Sequence, residues 1–189
     1  MGCVVVAALA TSSPCKWMMD GVDVTELNFM KNLILIRHAQ ACTAKADQQD
    51  VERELSSKGK RDALNAGEAL RKTPPLPERI LCSDAVRTTA TARLIATTLE
   101  LPETAVQRHR VFYTGNHNDL LRALAALPDS LTCVALVAHN PSISHLAGLL
   151  TGNCRRHPMD TSEVVRIECP ANTWSEVSRQ GGKIAEVDN

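Results

Sequence analysis

Four short apolar segments recur along the chain, and their spacing predicts the strands of one sheet. These segments are residues 33–36, 79–82, 132–138 and 163–167. The first, "LILI", has no polar position and therefore predicts a strand that is buried on both faces, as in parallel sheets. It is followed directly by Arg37 and His38, two groups that are costly to bury without partners.

Between the strand segments, apolar residues recur with the period of a helix. The predicted helices lie within residues 56–72, 83–100, 118–127 and 140–152. In the second helix, Val86, Ala90 and Leu94 are four residues apart and predict its buried face. Ser83 is expected to cap this helix, and Pro141 is expected at the first position of the last one.

Strands that alternate with helices predict an α/β fold of three layers, α/β/α, with a mostly parallel central sheet. Residues 30–180 are expected to form a single domain of this kind, followed by a tail at 181–189. Residues 1–29 do not continue the alternation, and we interpret them as an N-terminal extension, with the natural start of the protein at Met30. Their apolar stretch is too short to cross a membrane, and no basic residue precedes it as in a signal peptide.

Charge and cysteine content argue against two classes of protein. The chain has 21 basic and 21 acidic residues, so it lacks the basic surplus that nucleic-acid binding needs. Its seven cysteines are an odd number with no Cys-x-x-Cys pair, which argues against a disulfide framework and a zinc ribbon. Free thiols indicate a reducing compartment, and we expect the protein to be cytoplasmic.

Cationic and imidazole side chains follow three of the predicted strands. Arg37 and His38 end the first strand, His139 ends the third, and Arg87 lies one helical turn past the second. Because ligands of such sheets bind outside the carboxyl ends of the strands, we expect these four side chains to meet. Two arginines and two histidines with no acidic triad nearby predict a site for a small dianion, and phosphate fits best.

Five segments resemble, in order and spacing, the motifs of the histidine phosphatase superfamily. They are "RHA" at 37–39, "RELSSKG" at 53–59, "CSDAVRTTATA" at 82–92, "VAHNPSIS" at 137–144 and "MDTSEVVRIE" at 159–168. The last segment is similar to the final strand of the SixA-type phosphohistidine phosphatases, one branch of this superfamily. The resemblance extends from the first predicted strand to the last.

The resemblance implies a phosphoglycerate mutase-like fold and a phosphatase that uses no cofactor or metal. His38 would attack phosphorus and carry the phosphoryl group as phosphohistidine, while Arg37, Arg87 and His139 would hold the phosphoryl oxygens. The implied substrate is the phosphohistidine of a signalling protein such as a phosphotransfer domain. A small phosphate ester is the alternative substrate, and a phosphate-binding module without turnover is the alternative from another class. Neither a nucleic acid nor a membrane is an expected partner.

The choice of substrate depends on a general acid. Relatives that cleave phosphoesters carry an acidic residue after the third strand, where this chain has a short stretch with Asp119, a residue suited to the start of a helix. Asp47 and Asp50, after the first strand, are alternative acids. A phosphorylated imidazole is protonated near neutral pH and leaves with little help from an enzymic acid. Arg53 is left open between a phosphate contact and a surface pair with a neighbouring glutamate.

Overall fold

The structure is a computed structural model that describes residues 30–153, 158–178 and 181–185. The expectations for residues 1–29 therefore fall outside the described residues. Within the described ranges, no helix is long and apolar enough to cross a membrane.

Strands and helices alternate along the described chain, as the hydrophobic pattern predicts. In order they are β1 (Met30–Arg37), α1 (Ser57–Lys72), β2 (Arg79–Cys82), α2 (Val86–Thr98), β3 (Val106–Arg108), α3 (Val111–Thr114), α4 (His117–Ala125), β4 (Cys133–Ala138), α5 (Ser142–Thr151), β5 (Val164–Pro170) and β6 (Lys183–Ala185). The strand order in the sheet is β3-β2-β4-β1-β5-β6. The first four of these are parallel to one another, and β5 is antiparallel to both of its neighbours. The predicted α/β fold with a mostly parallel sheet is confirmed.

Helices cover both faces of the sheet and produce the three layers. Successive side chains of a strand point to opposite faces. Ile34 and Ile36 of β1 pack with residues of α1 and α2, whereas Leu33 and Leu35 pack with residues of α4 and α5. All four side chains are fully buried, which explains why residues 33–36 include no polar residue.

Three short elements have no counterpart in the sequence prediction: β3, α3 and β6. Each has three or four residues, which is too few to show a period. β6 lies within the predicted tail at 181–189 and pairs with β5. The sheet therefore extends past the expected domain boundary at residue 180.

The starts of two helices differ from the prediction. Ser83 does not cap α2; the N-cap residue is Ala85, and its side chain makes no capping hydrogen bond. Val86 is 41% exposed rather than buried, because a helix that begins there turns Arg87 and the following threonines inward. Pro141 is the N-cap of α5 instead of its first helical residue.

The start of α1 packs directly against the backbone that follows β1. Ser56 caps the helix by accepting a hydrogen bond from Gly59 N at 3.0 Å, and a Cβ on Gly59 would lie 2.1 Å from Gln40 O. We expect Gly59→Ala to lower the free energy of unfolding by about 1–3 kcal/mol, because the crowded backbone has to move. Urea unfolding of this variant beside Lys60→Ala, an exposed position of the same helix, measures the effect. Equal stability of the two variants would contradict the close contact.

Candidate active site

Three neighbouring strands bring the predicted site residues together. β1, β4 and β2 are adjacent and parallel, so their carboxyl ends lie side by side. Arg37 is the last residue of β1, His139 directly follows β4, and Arg87 lies in the first turn of α2, which follows β2. The backbone N–H of His38 donates to Ala138 O at the end of β4, at 3.1 Å. The convergence expected from the sequence is therefore present.

The backbone fixes which nitrogen of His38 faces the other site residues. Nδ1 lies 2.8 Å from Ala39 O, and because a carbonyl oxygen only accepts, Nδ1 carries the proton. Nε2 therefore keeps its lone pair and lies 3.4 Å from Nε of Arg87. His38 presents an unprotonated nitrogen to the arginine, as a nucleophile requires.

A chain of hydroxyl groups orients His139. Its Nδ1 lies 3.4 Å from Nη2 of Arg87 and accepts from it, so the proton is on Nε2, which lies 2.7 Å from Ser83 Oγ. The Ser83 hydroxyl contacts Thr88 Oγ1, whose own hydroxyl donates to Ala85 O at 2.8 Å. Ser83 thus supports a site histidine. The sequence pattern had instead predicted that Ser83 caps α2.

The two arginines of the site differ in how their donors are used. Arg37 Nη1 donates to Met159 O at 2.8 Å, but its buried Nε has no hydrogen-bond partner among the described residues. Arg87 is 6% exposed, and its guanidinium group contacts both histidines. Because a buried donor without a partner is unfavourable, an anion that accepts from Arg37 would be stabilised here.

An acidic side chain, Asp50, joins the site from the loop between β1 and α1. Its Oδ2 accepts hydrogen bonds from Nη2 of Arg87 at 2.7 Å and from the hydroxyl of Tyr113 at 3.1 Å. Its Oδ1 accepts from Nη1 of Arg53 at 3.0 Å. The sequence motifs did not indicate that a carboxylate would contact Arg87, one of the two arginines predicted to hold phosphate.

Arg53 is held within the same loop rather than by a neighbouring glutamate. Its Nε and Nη2 donate to Cys42 O at 3.1 and 2.9 Å. Ala41 and Leu55 pair as an isolated antiparallel bridge, which closes the loop and returns Asp50 toward α2. Arg53 therefore acts on the site through Asp50. This contact is neither the phosphate contact nor the surface pair with a glutamate that the sequence left open.

Comparison with known proteins finds a family model that matches the segment from β1 to α3. Residues 33–112, which include Arg37, His38 and Arg87, match the model of the histidine phosphatase superfamily (branch 1). Over this segment the chain is similar to this superfamily. Protein ML1117 of Mycobacterium leprae (strain TN) is 34% identical over 104 residues, which are 55% of this chain and 62% of that protein. The matched segment thus spans less than two thirds of the relative's length.

Two solved structures share the fold of this chain. The protein histidine phosphatase SixA complexed with tungstate matches with a TM-score of 0.69 and 19% identity, over 82% of this chain and 94% of that chain. A mycobacterial glucosyl-3-phosphoglycerate phosphatase matches with a TM-score of 0.63 and 17% identity, over 82% of this chain and 97% of that chain. The predicted phosphoglycerate mutase-like fold is confirmed.

Burial keeps both site histidines, His38 and His139, uncharged near neutral pH. Burial is the main cause that lowers the pKa of His38 to about 4; the hydrogen bond to Ala39 opposes this effect, and the charges of Arg87 and Arg37 add to it. Burial also lowers the pKa of His139 to about 3, with His38 and Arg87 as further causes. The nucleophile predicted from the sequence is therefore in its reactive, neutral form.

These two pKa values predict how stability depends on pH. In the unfolded chain both histidines titrate near pH 6.5, so below that pH the unfolded state binds more protons than the folded state. The free energy of unfolding should therefore fall as the pH decreases from 6.5 toward 4. Urea unfolding at several pH values in this range measures the slope, which should be shallower in the double variant His38→Asn, His139→Asn. Equal slopes in both proteins would contradict the neutral state of the histidines.

Two of the candidate acids, Asp50 and Asp119, do not hold a proton that a leaving group could take. Partial desolvation raises the pKa of Asp50, but hydrogen bonds from Arg53, Arg87 and Tyr113 outweigh it and hold the pKa at about 2. Asp119 belongs to the capping box of α4, and the hydrogen bond from Asn116 N lowers its pKa. Asp47 is exposed in a turn with a φ of 67°.

The remaining described histidines do not form a ligand set for a metal. His117 and His145 lie edge to face, with ring centroids 5.8 Å apart, and His145 is exposed on α5. Across residues 30–153, 158–178 and 181–185, no three His, Cys, Asp or Glu side chains come together in a way that could hold a metal ion.

Proposed function

We propose that this protein is a phosphatase that uses His38 as its nucleophile. The observation that carries the proposal is the orientation of the ring: Nδ1 donates to Ala39 O, and Nε2 presents its lone pair toward Arg87. In the first step Nε2 attacks phosphorus, and the leaving group departs. Water then attacks the phosphohistidine, the N–P bond breaks and inorganic phosphate is released.

Arg37, Arg87 and His139 hold the phosphoryl oxygens in this proposal. Arg87 supports this role because its guanidinium group reaches both histidines. Arg37 supports it because its buried Nε lacks a partner among the described residues and gains one when an oxygen binds. Fixed donors of this kind stabilise the charge on the equatorial oxygens during the transfer.

The proposed substrate is a phosphohistidine carried by another protein, such as a phosphotransfer domain. Support comes from the acids, since Asp50 and Asp119 both have lowered pKa values and therefore do not protonate an alkoxide. An imidazole leaving group needs little such help, because it is protonated before it departs. The link from β3 to α4 is also short and holds just the single turn α3, which leaves the site open to a protein surface.

The experiment that tests the proposal measures the loss of label from a histidine-phosphorylated phosphotransfer domain in the presence of the full chain. A phosphotransfer domain labelled on histidine and glucose 6-phosphate are supplied at equal concentrations, and inorganic phosphate is quantified from each. Faster release from the protein supports the phosphohistidine substrate. Binding of the labelled domain without release would indicate a phosphate-recognition module and contradict the enzymatic proposal.

A small phosphate ester is the second candidate substrate. The fold is shared with a mycobacterial glucosyl-3-phosphoglycerate phosphatase, so the architecture accommodates a metabolite in that protein. Faster release from glucose 6-phosphate than from the phosphotransfer domain would favour this candidate. His38 would remain the nucleophile in either case.

We also propose that the protein acts in the cytoplasm. Cys42, Cys82, Cys133 and Cys169 are free thiols, and the last three are buried in the core. Free cysteines are stable in a reducing compartment, which supports this location.

A further inference from the structure

We propose that Asp50 selects the leaving group of this phosphatase: its carboxylate accepts a hydrogen bond from the far N–H of a phosphorylated imidazole and so favours N–P over O–P cleavage. The inference rests on the proposed function, because it assigns a substrate class to the same site. It adds a specificity residue that lies outside the four residues predicted from the sequence.

Asp50 and the nucleophile contact different nitrogens of the Arg87 guanidinium group. Nε of the guanidinium group faces His38 Nε2, Nη2 contacts His139 and Asp50 Oδ2, and Nη1 donates to Asp50 O. A phosphoryl group held by Arg87 would thus have His38 at one end of the guanidinium group and Asp50 at the other. In-line transfer requires the leaving group to lie on the side away from the nucleophile.

A pocket of about 370 Å³ opens beside Asp50, where a leaving group would lie. Its lining residues are Gln49, Asp50, Val51, Asp84, Arg110 and Tyr113. Tyr113 also packs against His139, with ring centroids 5.3 Å apart, so one lining residue of the pocket contacts a site histidine.

The carboxylate of Asp50 has capacity for one more donor. An ionised carboxylate offers about four acceptor positions, and Arg53, Arg87 and Tyr113 use three of them. The side chain is 51% exposed despite these contacts, so part of it remains open to a ligand. The low pKa of Asp50, about 2, keeps it an acceptor throughout the range in which an imidazole is protonated.

The transfer from a phosphohistidine balances without a proton from Asp50. The substrate imidazole is protonated on its far nitrogen, and this N–H donates to Asp50. His38 Nε2 forms the new N–P bond, the old N–P bond breaks, and its electron pair returns to the substrate ring, which leaves neutral with its far N–H in place. The two imidazoles thus exchange the phosphoryl group, with Ala39 O accepting from one ring and Asp50 from the other. Water then forms an O–P bond, and the N–P electron pair returns to His38 as dihydrogen phosphate leaves.

A phosphate ester gains nothing from the same carboxylate. Its leaving oxygen develops negative charge and needs a donor or a proton, whereas an ionised carboxylate only accepts. Asp50 therefore favours the protonated imidazole, which is the form that can depart as a neutral ring, and opposes departure of an oxyanion. An amide at this position would reverse both effects, because it has no charge and carries an N–H₂ donor.

The test compares Asp50→Asn with the wild-type full chain on two small probes. N-phosphoimidazole has the proposed leaving group, and p-nitrophenyl phosphate leaves as an oxyanion. We expect kcat/KM for N-phosphoimidazole to fall roughly 10–100-fold, the range for loss of a hydrogen bond to a charged group, and kcat/KM for the ester to rise. We also expect the alkaline limb of kcat for N-phosphoimidazole to move to lower pH, because Asp50 no longer holds the substrate imidazole protonated.

Asp47→Asn is the matched control, since Asp47 lies in the same loop, is exposed, and has a positive φ that asparagine tolerates. It should behave as wild type on both probes. A fall of the same size on both probes with an unmoved pH limb would overturn the inference and leave Asp50 as a support for Arg87. Failure of the proposed function has a different signature: wild type would not release phosphate from N-phosphoimidazole, or His38→Ala would release it equally well.

Discussion

Replacing His38 with alanine should lower phosphate release by a factor on the order of 10⁴–10⁶, the range for loss of an enzyme nucleophile. The His38 ring has Nδ1 fixed on Ala39 O and Nε2 facing Arg87, so an alanine leaves no nitrogen at the position from which phosphorus is attacked. His139 does not replace it, because its Nε2 carries a proton and donates to Ser83. Phosphate release from N-phosphoimidazole by the full chain measures the effect.

A trapped intermediate distinguishes loss of the nucleophile from loss of the fold. Wild type quenched in base during turnover with labelled N-phosphoimidazole should retain label as phosphohistidine, and His38→Ala should retain none. His145→Ala is the matched control, since His145 is an exposed histidine on the neighbouring helix α5. It should retain both the label and the activity. Label on a folded His38→Ala protein would refute the assignment of the nucleophile.

The central strands were predictable because they are buried on both faces. Residues 79–82 coincide with β2, and the "LILI" segment lies inside β1. A fully apolar run of this kind has few structural alternatives in a chain with helices between the runs. In contrast, β3 and β6 have three residues each, and their side chains are exposed or half-buried. These strands form because they pair with neighbouring strands, and a local sequence pattern does not show such pairing.

The segment "RELSSKG" was recognised from the sequence by its resemblance to a family motif, and the structure shows what its residues do. Arg53 closes the loop through Cys42 O, and Leu55 is buried against Ala39. Ser56 caps α1 and Gly59 leaves room for the backbone of Gln40. These four residues of the motif therefore hold the loop beside His38 in place.

Asp50 was named from the sequence as one of three candidate acids, and its place in the site was not predictable. It lies in a polar loop between His38 and Arg53, and its contact with Arg87 depends on tertiary folding across 37 residues. The same is true of the link from Ser83 to His139, which spans 56 residues. Strand ends converge by a general rule of α/β sheets, whereas contacts made by loops follow no such rule.

Arg87→Ala should lower kcat for N-phosphoimidazole by about 10²–10³-fold, the range for loss of one fixed donor to a developing charge. It should also raise the pKa of His38, because the charge of Arg87 is one of the causes that keep that pKa low. NMR titration of the His38 ring measures this second effect, which a general loss of packing would not explain. Arg93→Ala is the matched control, an arginine on the same helix that is paired with Glu103 at the surface.

Arg87→Lys separates the charge of this residue from its shape. Lysine keeps the positive charge, so the pKa of His38 should stay low, but its single ammonium group does not reproduce the planar fork that spans His38, His139 and Asp50. We therefore expect kcat to remain well below that of wild type while the His38 titration stays close to it. Full activity in Arg87→Lys would show that charge alone suffices at this position. The fork would then have no role in aligning the phosphoryl group between His38 and the leaving group.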